Sequence, residues 1–189
     1  MGEPKALEIK AQKEKSFGAP LEADDAKALK DMATAYDALC QTRTHLEKYI
    51  ETISRQIMPN ATALVGALVS ARLLSIAGSL QRLANFPAST LQVLGAEKAL
   101  FKHLRKHTLP PKHGVIFQVP YVNAQPFDKR GKAARALAGK LAIALKADFY
   151  SKHDISKKLL ADLYKREEQI NALPTRNIQP KDYRERDYQ

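Results

Sequence analysis

The sequence predicts an all-α protein in which a long coiled-coil helix precedes a helical domain. Alanine and leucine, which favour helix, are abundant, tryptophan is absent and aromatic residues make up 7% of the chain. Apolar residues recur at helical spacing in several segments. At 189 residues the chain can bury a core without disulfides. We predict four parts, an N-terminal arm (1–22), a coiled-coil helix (23–58), a helical domain (59–171) and a flexible tail (172–189).

The long helix is predicted to begin at Asp24 or Asp25, which can cap it, and to end near Met58. Its apolar residues keep a seven-residue repeat that is typical of a coiled coil and is interrupted once, by Arg43. The two core positions hold Leu29, Tyr36, Ile50 and Ile57, and Met32, Leu39, Leu46 and Ile53. We expect self-association through Leu39, Leu46, Ile50 and Ile53. The alternative is an amphipathic helix that lies on its own domain.

Glycine and proline divide the rest of the chain into shorter helices. Small apolar residues over 61–84 predict closely packed helices, and Ser89 or Thr90 can cap a short helix that ends near Gly95. The proline-rich stretch 107–128 is predicted to be an ordered loop with one short extended piece at 115–117. Further helices are predicted over about 96–106, 131–147 and 156–170. The helix over 131–147 has an apolar face of Ala134, Leu137, Ala138, Leu141, Ala144 and Leu145.

The charge of the chain indicates a nucleic-acid partner. Its formal net charge is +11, and between Glu51 and Asp128 the only carboxylate is Glu97. The same interval holds Arg55, Arg72, Arg82, Lys98, Lys102, Arg105, Lys106 and Lys112. So much unbalanced positive charge repels itself unless a polyanion is present to receive it.

Catalysis, metal binding and membrane insertion find no support in the sequence. It has no glycine-rich phosphate loop, no nucleophile motif and no metal-ligand spacing, so we expect no enzyme, no cofactor and no metal. Glu97 is better explained as a residue that compensates a helix dipole than as an acid or base. The single cysteine, Cys40, suits a reducing compartment and a packing role. No apolar run reaches the roughly 18 residues that span a bilayer.

Two basic helix segments and a loop histidine could bind RNA. Lys98, Lys102 and Arg105 share one helix face at spacings of four and three. A second basic run, over 129–135, begins a helix, where a bound phosphate would offset the unfavourable helix dipole. Between them His113, on a loop beside Lys112, could stack on an unpaired base. The alternative for each is an ordinary solvated side chain.

Six motifs give the chain a specific resemblance. They are PNATALVG (59–66), AGSL (77–80), PAST (87–90), GAEKALFK (95–102), PKHG (111–114) and GKAAR (131–135). On these residues the chain resembles the Nop-domain family of box C/D RNA-guided methylation particles and of a spliceosomal assembly factor. The match begins near Leu46, is strong from Met58 to Asp148 and fades by about Glu168.

The resemblance implies an all-helical domain on a coiled coil that binds a kink-turn RNA and the small ribosomal-protein-like protein already bound to it. It implies that 95–102 lies near both partners, that His113 stacks on an RNA base and that 129–135 faces the RNA backbone. The predicted RNA-binding residues are Gly95, Ala96, Glu97, Lys98, Lys102, Arg105, Lys112, His113, Lys129, Arg130, Lys132 and Arg135. An apolar wall of Leu100, Phe101, Leu137 and Leu141 is expected to hold them.

The chain departs from the family pattern at two points. Lys102 stands where arginine is usual, which keeps the charge but loses the bidentate grip on phosphate. The family's N-terminal region, which docks the methyltransferase fibrillarin, is not found in the sequence, so recruitment of that enzyme is not expected. A cytoplasmic location is expected if the source is archaeal, and a nuclear one if it is eukaryotic.

Three hypotheses for the function stay open. The first is an RNA-binding assembly module of a box C/D-type particle. The second keeps the fold and places it in a spliceosomal small-nuclear-ribonucleoprotein assembly factor. The third is a coiled-coil interaction module whose basic patch meets an acidic protein.

Overall fold

The structure, a computed structural model, describes residues 22–174, and every regular element among them is helical, which confirms the predicted fold class. The helices are α1 (Ala23–Ile57), α2 (Pro59–Val65), α3 (Ala67–Ala77), α4 (Leu80–Asn85), α5 (Ala88–Val93), α6 (Glu97–Lys106), α7 (Pro120–Asn123), α8 (Arg130–Lys146) and α9 (Ser156–Ala172). A 3-10 turn (Val115–Gln118) precedes α7, and a π-helical turn (Ala147–Ser151) follows α8. Most of the predicted arm and tail lies outside the described residues.

The described residues divide into two compact units at the boundary between His45 and Leu46, inside α1. In the first unit α1 carries Asp24 and Asp25 in its first turn, as suits the positive end of the helix dipole. In the second unit Ser54 is buried, and its carbonyl oxygen accepts a hydrogen bond from Thr62 Oγ1 at 3.1 Å. The end of α1 therefore belongs to the packed domain, and the predicted division between 58 and 59 falls later than this one.

Helix α8 forms the centre of the core of the second unit. Its predicted apolar face is buried, since Leu137 and Leu141 are fully covered, and α2, α5, α7 and α9 pack against it. Truncating such a buried leucine to alanine typically costs about 2–5 kcal/mol. Among the described residues no single helix is long and apolar enough to cross a membrane; α2 and α3 pass that test only as a pair, bent by 118°.

A buried carboxylate joins the start of α2 to the end of α8. Asp148 Oδ1 accepts hydrogen bonds from the backbone N–H of Asn60 at 3.0 Å and from its side-chain Nδ2 at 2.7 Å. Oδ2 accepts from the N–H of Ala61 at 2.9 Å. The Asn60 amide also donates to the His153 carbonyl and accepts from the Ile155 N–H. The buried charge is therefore satisfied by neighbouring donors, as such a group requires.

Three side chains tie α9 to the segment that leads into α8. Tyr121 donates to the Leu163 carbonyl at 3.3 Å, Gln125 to the Glu167 carboxylate at 3.1 Å and Lys129 to the Asn171 carbonyl at 3.1 Å. Burial, and then the nearby Glu167 charge, raise the pKa of Tyr121 to about 12, so its hydroxyl stays protonated and able to donate. These contacts follow successive turns of α9 and hold it in register.

Three local expectations were wrong. Helix α7 (Pro120–Asn123) lies inside the stretch 107–128 that was predicted to be a loop. Residues 115–117 form a 3-10 turn instead of an extended piece, because Val115 and Ile116 are buried in the core and the Phe117 N–H bonds the Gly114 carbonyl. Helix α5 begins directly after Pro87, whose fixed φ suits a helix start, and neither Ser89 nor Thr90 caps it.

We predict that Asp148→Asn lowers the free energy of unfolding by about 1–3 kcal/mol, because the new amide group would oppose the buried N–H that now bonds one carboxylate oxygen. Urea denaturation followed by circular dichroism measures the change. Asp162→Asn is the matched control: its carboxylate bonds Lys140 in a partly exposed pair, so we expect a much smaller loss. Equal losses in the two variants would contradict the role of Asp148.

Candidate nucleic-acid interface

A groove of about 700 Å³ lies between α5, the proline-rich loop and the start of α8. Lys112 from the loop and Lys132 and Arg135 from α8 line it, together with Asp128. Leu100 of α6 and Pro111 contribute apolar wall. The structure thus brings cations from the loop and from the second basic run to one concave surface, although Lys112 and Lys132 are 20 positions apart in the sequence.

Backbone contacts clamp the proline-rich loop onto the end of α5. The N–H of Gly114 donates to the Gln92 carbonyl and the N–H of Val115 to the Leu94 carbonyl, each at 2.8 Å. The Gln92 side chain donates to the Lys112 carbonyl at 2.7 Å. A Cβ at Gly114 would overlap the carbonyl oxygen of Leu94, so only glycine allows this approach. Lys112 and His113 are therefore held in place from both sides.

The imidazole of His113 lies in a stack. It packs parallel to the Phe117 ring, with centroids 4.4 Å apart and planes at 15°, and the Arg130 guanidinium lies 5.4 Å from the Phe117 centroid. Burial lowers the pKa of His113, and the charges of Arg130 and Lys112 lower it further against an opposing backbone hydrogen bond. The neutral imidazole is therefore the favoured form at pH 7.

Helix α6 presents exposed cations and an exposed apolar face. Lys98, Lys102 and Arg105 are exposed, and none of the helix residues is buried. The Glu97 carboxylate accepts the N–H of Gly95 at 2.6 Å, so it braces the turn before the helix, as a dipole-compensating residue would. Ala96 is half-buried beside it.

The predicted apolar wall is only partly correct. Leu137 and Leu141 are buried in the core, and Leu100 lines the groove. Phe101, however, is 60% exposed and Leu104 is 62% exposed. Phe101 therefore does not support the cations and is itself part of the surface.

Two of the predicted phosphate contacts are bound within the domain. Lys129 is 4% exposed and its ammonium group bonds the Asn171 carbonyl at the end of α9. Lys129 is therefore not one of the residues that can contact a phosphate. Arg130 is half-buried, and its guanidinium bonds the carbonyls of Gln125 at 2.9 Å and Asn123 at 3.4 Å. The backbone N–H groups of Arg130 and Lys132 also bond carbonyls. A phosphate at this helix start would therefore be bound mainly by cationic side chains.

Sequence reasoning missed the aromatic residues beneath the charged ones. The Lys112 ammonium lies 4.3 Å from the centroid of the Phe127 ring, and Phe117 supports His113. The spacing of four between His113 and Phe117 was the available indication. Across residues 22–174 no group of three or more His, Cys, Asp or Glu side chains that could hold a metal ion is found.

Comparison with known proteins shows what this chain is similar to. A family model described as Nop, snoRNA binding domain, fibrillarin, matches residues 3–169. An uncharacterized NOP5 family protein of Methanocaldococcus jannaschii is 46% identical over 155 residues, which cover 82% of this chain and 37% of that protein. Nucleolar protein 58 of Candida albicans is 41% identical over 143 residues, which cover 76% of this chain and 28% of that protein.

The fold leads to the same family. A chain in a crystal structure of a fibrillarin/Nop5p complex superposes with a TM-score of 0.63 at 34% identity, over 87% of this chain and 61% of that chain. The present sequence therefore spans 37% and 28% of the two curated relatives. Because the family model matches residues 3–169, which are most of this chain, the chain belongs to the Nop family.

Proposed function

We propose that this chain is an RNA-binding assembly module, without catalysis of its own, for a kink-turn RNA of the box C/D type and the small ribosomal-protein-like protein already bound to it. The groove lined by Lys112, Lys132 and Arg135 carries the proposal. Cations from two separate segments converge there, and His113 follows Lys112 in the loop. Cations for phosphates and a ring for an unpaired base are what a folded RNA would require.

The cations of the groove and of α6 contact phosphates at two neighbouring places. Lys112, Lys132 and Arg135 contact phosphates in the groove, and Lys98, Lys102 and Arg105 extend the contact along exposed α6. These contacts supply affinity and orientation but no sequence preference. Selectivity then comes from the shape of the RNA, from stacking at His113 and from the bound protein.

The exposed apolar face of α6 is an argument for a protein partner at this surface. Phe101 and Leu104 are each more than half exposed on a helix that has no buried residue. Exposed aromatic and aliphatic side chains beside cations are typical of surfaces that bind a partner with both apolar and polar groups. We infer that the kink-turn-binding protein covers this face while the RNA occupies the groove.

Self-association is proposed through α1. Leu39 and Leu46 are exposed, and Ile50 and Ile53 are partly exposed, so this seam is available to an opposing helix. The exposed apolar repeat favours this over a helix that buries its own seam. Location follows the source of the chain, cytoplasmic for an archaeal relative of NOP5 and nuclear for a eukaryotic one.

A binding assay with three RNAs tests the proposal. Native gel shifts would compare a box C/D kink-turn RNA, the same RNA loaded with its protein, and a duplex of equal length. We expect clear preference for the loaded kink-turn. Binding of an acidic protein in place of every RNA would favour the interaction-module hypothesis, and preference for a spliceosomal stem over a box C/D stem would favour the splicing one.

Arg135→Ala should remove one phosphate contact, since its guanidinium lines the groove. The slope of log affinity against log salt should become shallower by roughly 0.7–0.9. Lys146→Ala, on the same helix about three turns away, is the control and should leave the slope unchanged. An unchanged slope in Arg135→Ala would place this residue outside the interface.

His113→Ala should weaken binding to the loaded RNA by about 1–3 kcal/mol, the usual loss when base stacking is removed. Fluorescence anisotropy at constant salt measures the change. His45→Ala, which removes an exposed histidine of α1, is the control. Equal affinity of the two variants would remove His113 from the contact.

Phe101→Ala should reduce the gain in affinity that the kink-turn-binding protein provides, by about 2 kcal/mol if this ring anchors the interface. Binding to naked RNA should change little, and so should stability, because the side chain is 60% exposed. Tyr164→Ala removes an equally exposed aromatic side chain on α9 and should leave the gain intact. If both variants keep the full gain, another surface meets the protein.

A further inference from the structure

The stack of His113, Phe117 and Arg130 has a construction that the proposed function does not by itself require. The imidazole and the phenyl ring are 4.4 Å apart and nearly parallel, and the guanidinium lies 5.4 Å from the same phenyl ring. An ordinary loop histidine on a surface has many rotamers. Here an aromatic neighbour covers one face of the imidazole before any ligand arrives.

We propose that Phe117 is a positioning residue for RNA recognition: it backs one face of the His113 imidazole and leaves the opposite face to receive one unpaired base. This inference rests on the proposed function, because the base belongs to the RNA of that complex. The ligand chemistry is a flat π-face, and stacking of this kind accepts any of the bases. The three groups together then form a platform with a fixed orientation.

The backbone explains why Phe117 can hold such a position. Its N–H bonds the Gly114 carbonyl at 3.1 Å within the 3-10 turn, and its ring is partly buried against the core. The turn begins with Val115, whose N–H bonds Leu94 at 2.8 Å, so it is joined to the end of α5. The phenyl ring is therefore anchored to the domain, and the imidazole gains its orientation from the ring.

Arg130 supports the stack from α8. Its Nε donates to the Gln125 carbonyl at 2.9 Å, which keeps the guanidinium beside the Phe117 ring. The charged groups that act on His113 are Arg130 from α8 and Lys112 from the loop, and both disfavour a protonated imidazole. A pre-oriented neutral ring avoids the loss of rotamer freedom that base binding would otherwise cause. This is the physical advantage of placing Phe117 behind the histidine.

Four variants test the inference by a double-mutant cycle with the protein-loaded kink-turn RNA. They are His113→Ala, Phe117→Leu, the double variant, and Phe117→Tyr, which keeps an aromatic ring. We expect Phe117→Leu to weaken binding by about 2- to 10-fold, the range of one aromatic pair. The double variant should bind no more weakly than His113→Ala, because Phe117 acts through the imidazole, and Phe117→Tyr should restore affinity. Phe149→Leu, another half-buried phenylalanine, is the control and should bind normally.

The free protein provides a second readout that needs no RNA. In NMR titrations, Phe117→Leu should raise the pKa of His113 toward its ordinary value, because the leucine covers less of the imidazole, whereas Phe149→Leu should leave it in place. A merely structural role of Phe117 would lower stability without these two changes.

Different outcomes would overturn the positioning role of Phe117 and the proposed function. Losses that add in the double variant, or an unchanged pKa in Phe117→Leu, overturn the positioning role while salt-dependent RNA binding leaves the proposed function intact. If no variant and no RNA gives salt-dependent binding, the proposed function fails, and the inference about the base fails with it.

Discussion

The buried Asp148 carboxylate is the contact on which the position of α8 depends. It bonds two backbone N–H groups at the start of α2 and the side chain of Asn60, all within 3.0 Å. A charge that is buried so fully is stable only while these donors stay in place. At the other end of the helix, the Lys129 ammonium bonds the last turn of α9. Helix α8 is therefore fixed at both ends, and the groove lies along its first turns.

The candidate interface is a consequence of this rigid helix and of the loop clamped against it. The loop reaches α5 through Gly114, where no side chain would fit, and it brings Lys112 to the groove, while the neighbouring His113 stacks on Phe117. Helix α6 contributes cations on one face and exposed Phe101 on the surface. RNA and protein would thus be met by neighbouring elements of one domain, and a partner-bound RNA would contact both.

Much of the fold followed from patterns that depend on local physics. Helical spacing is read directly from the sequence. It predicted the long helix α1, the apolar face of α8 and the ends of α6. The 3-10 turn at 115–117 and the burial of Lys129 could not, since each depends on a partner far away in the chain. The unbalanced charge indicated a basic surface, but it could not tell Lys129, which bonds α9, from Lys132, which lines the groove.

In the proposed function, one surface of this domain recognises the RNA and its bound protein together. The most direct measurement is the affinity of the full chain for the same kink-turn RNA with and without the kink-turn-binding protein, at several salt concentrations. We expect tighter binding to the loaded RNA at every salt concentration, with a salt slope that several phosphate contacts would produce. Equal affinity for the loaded RNA, the naked RNA and an unrelated duplex would contradict it.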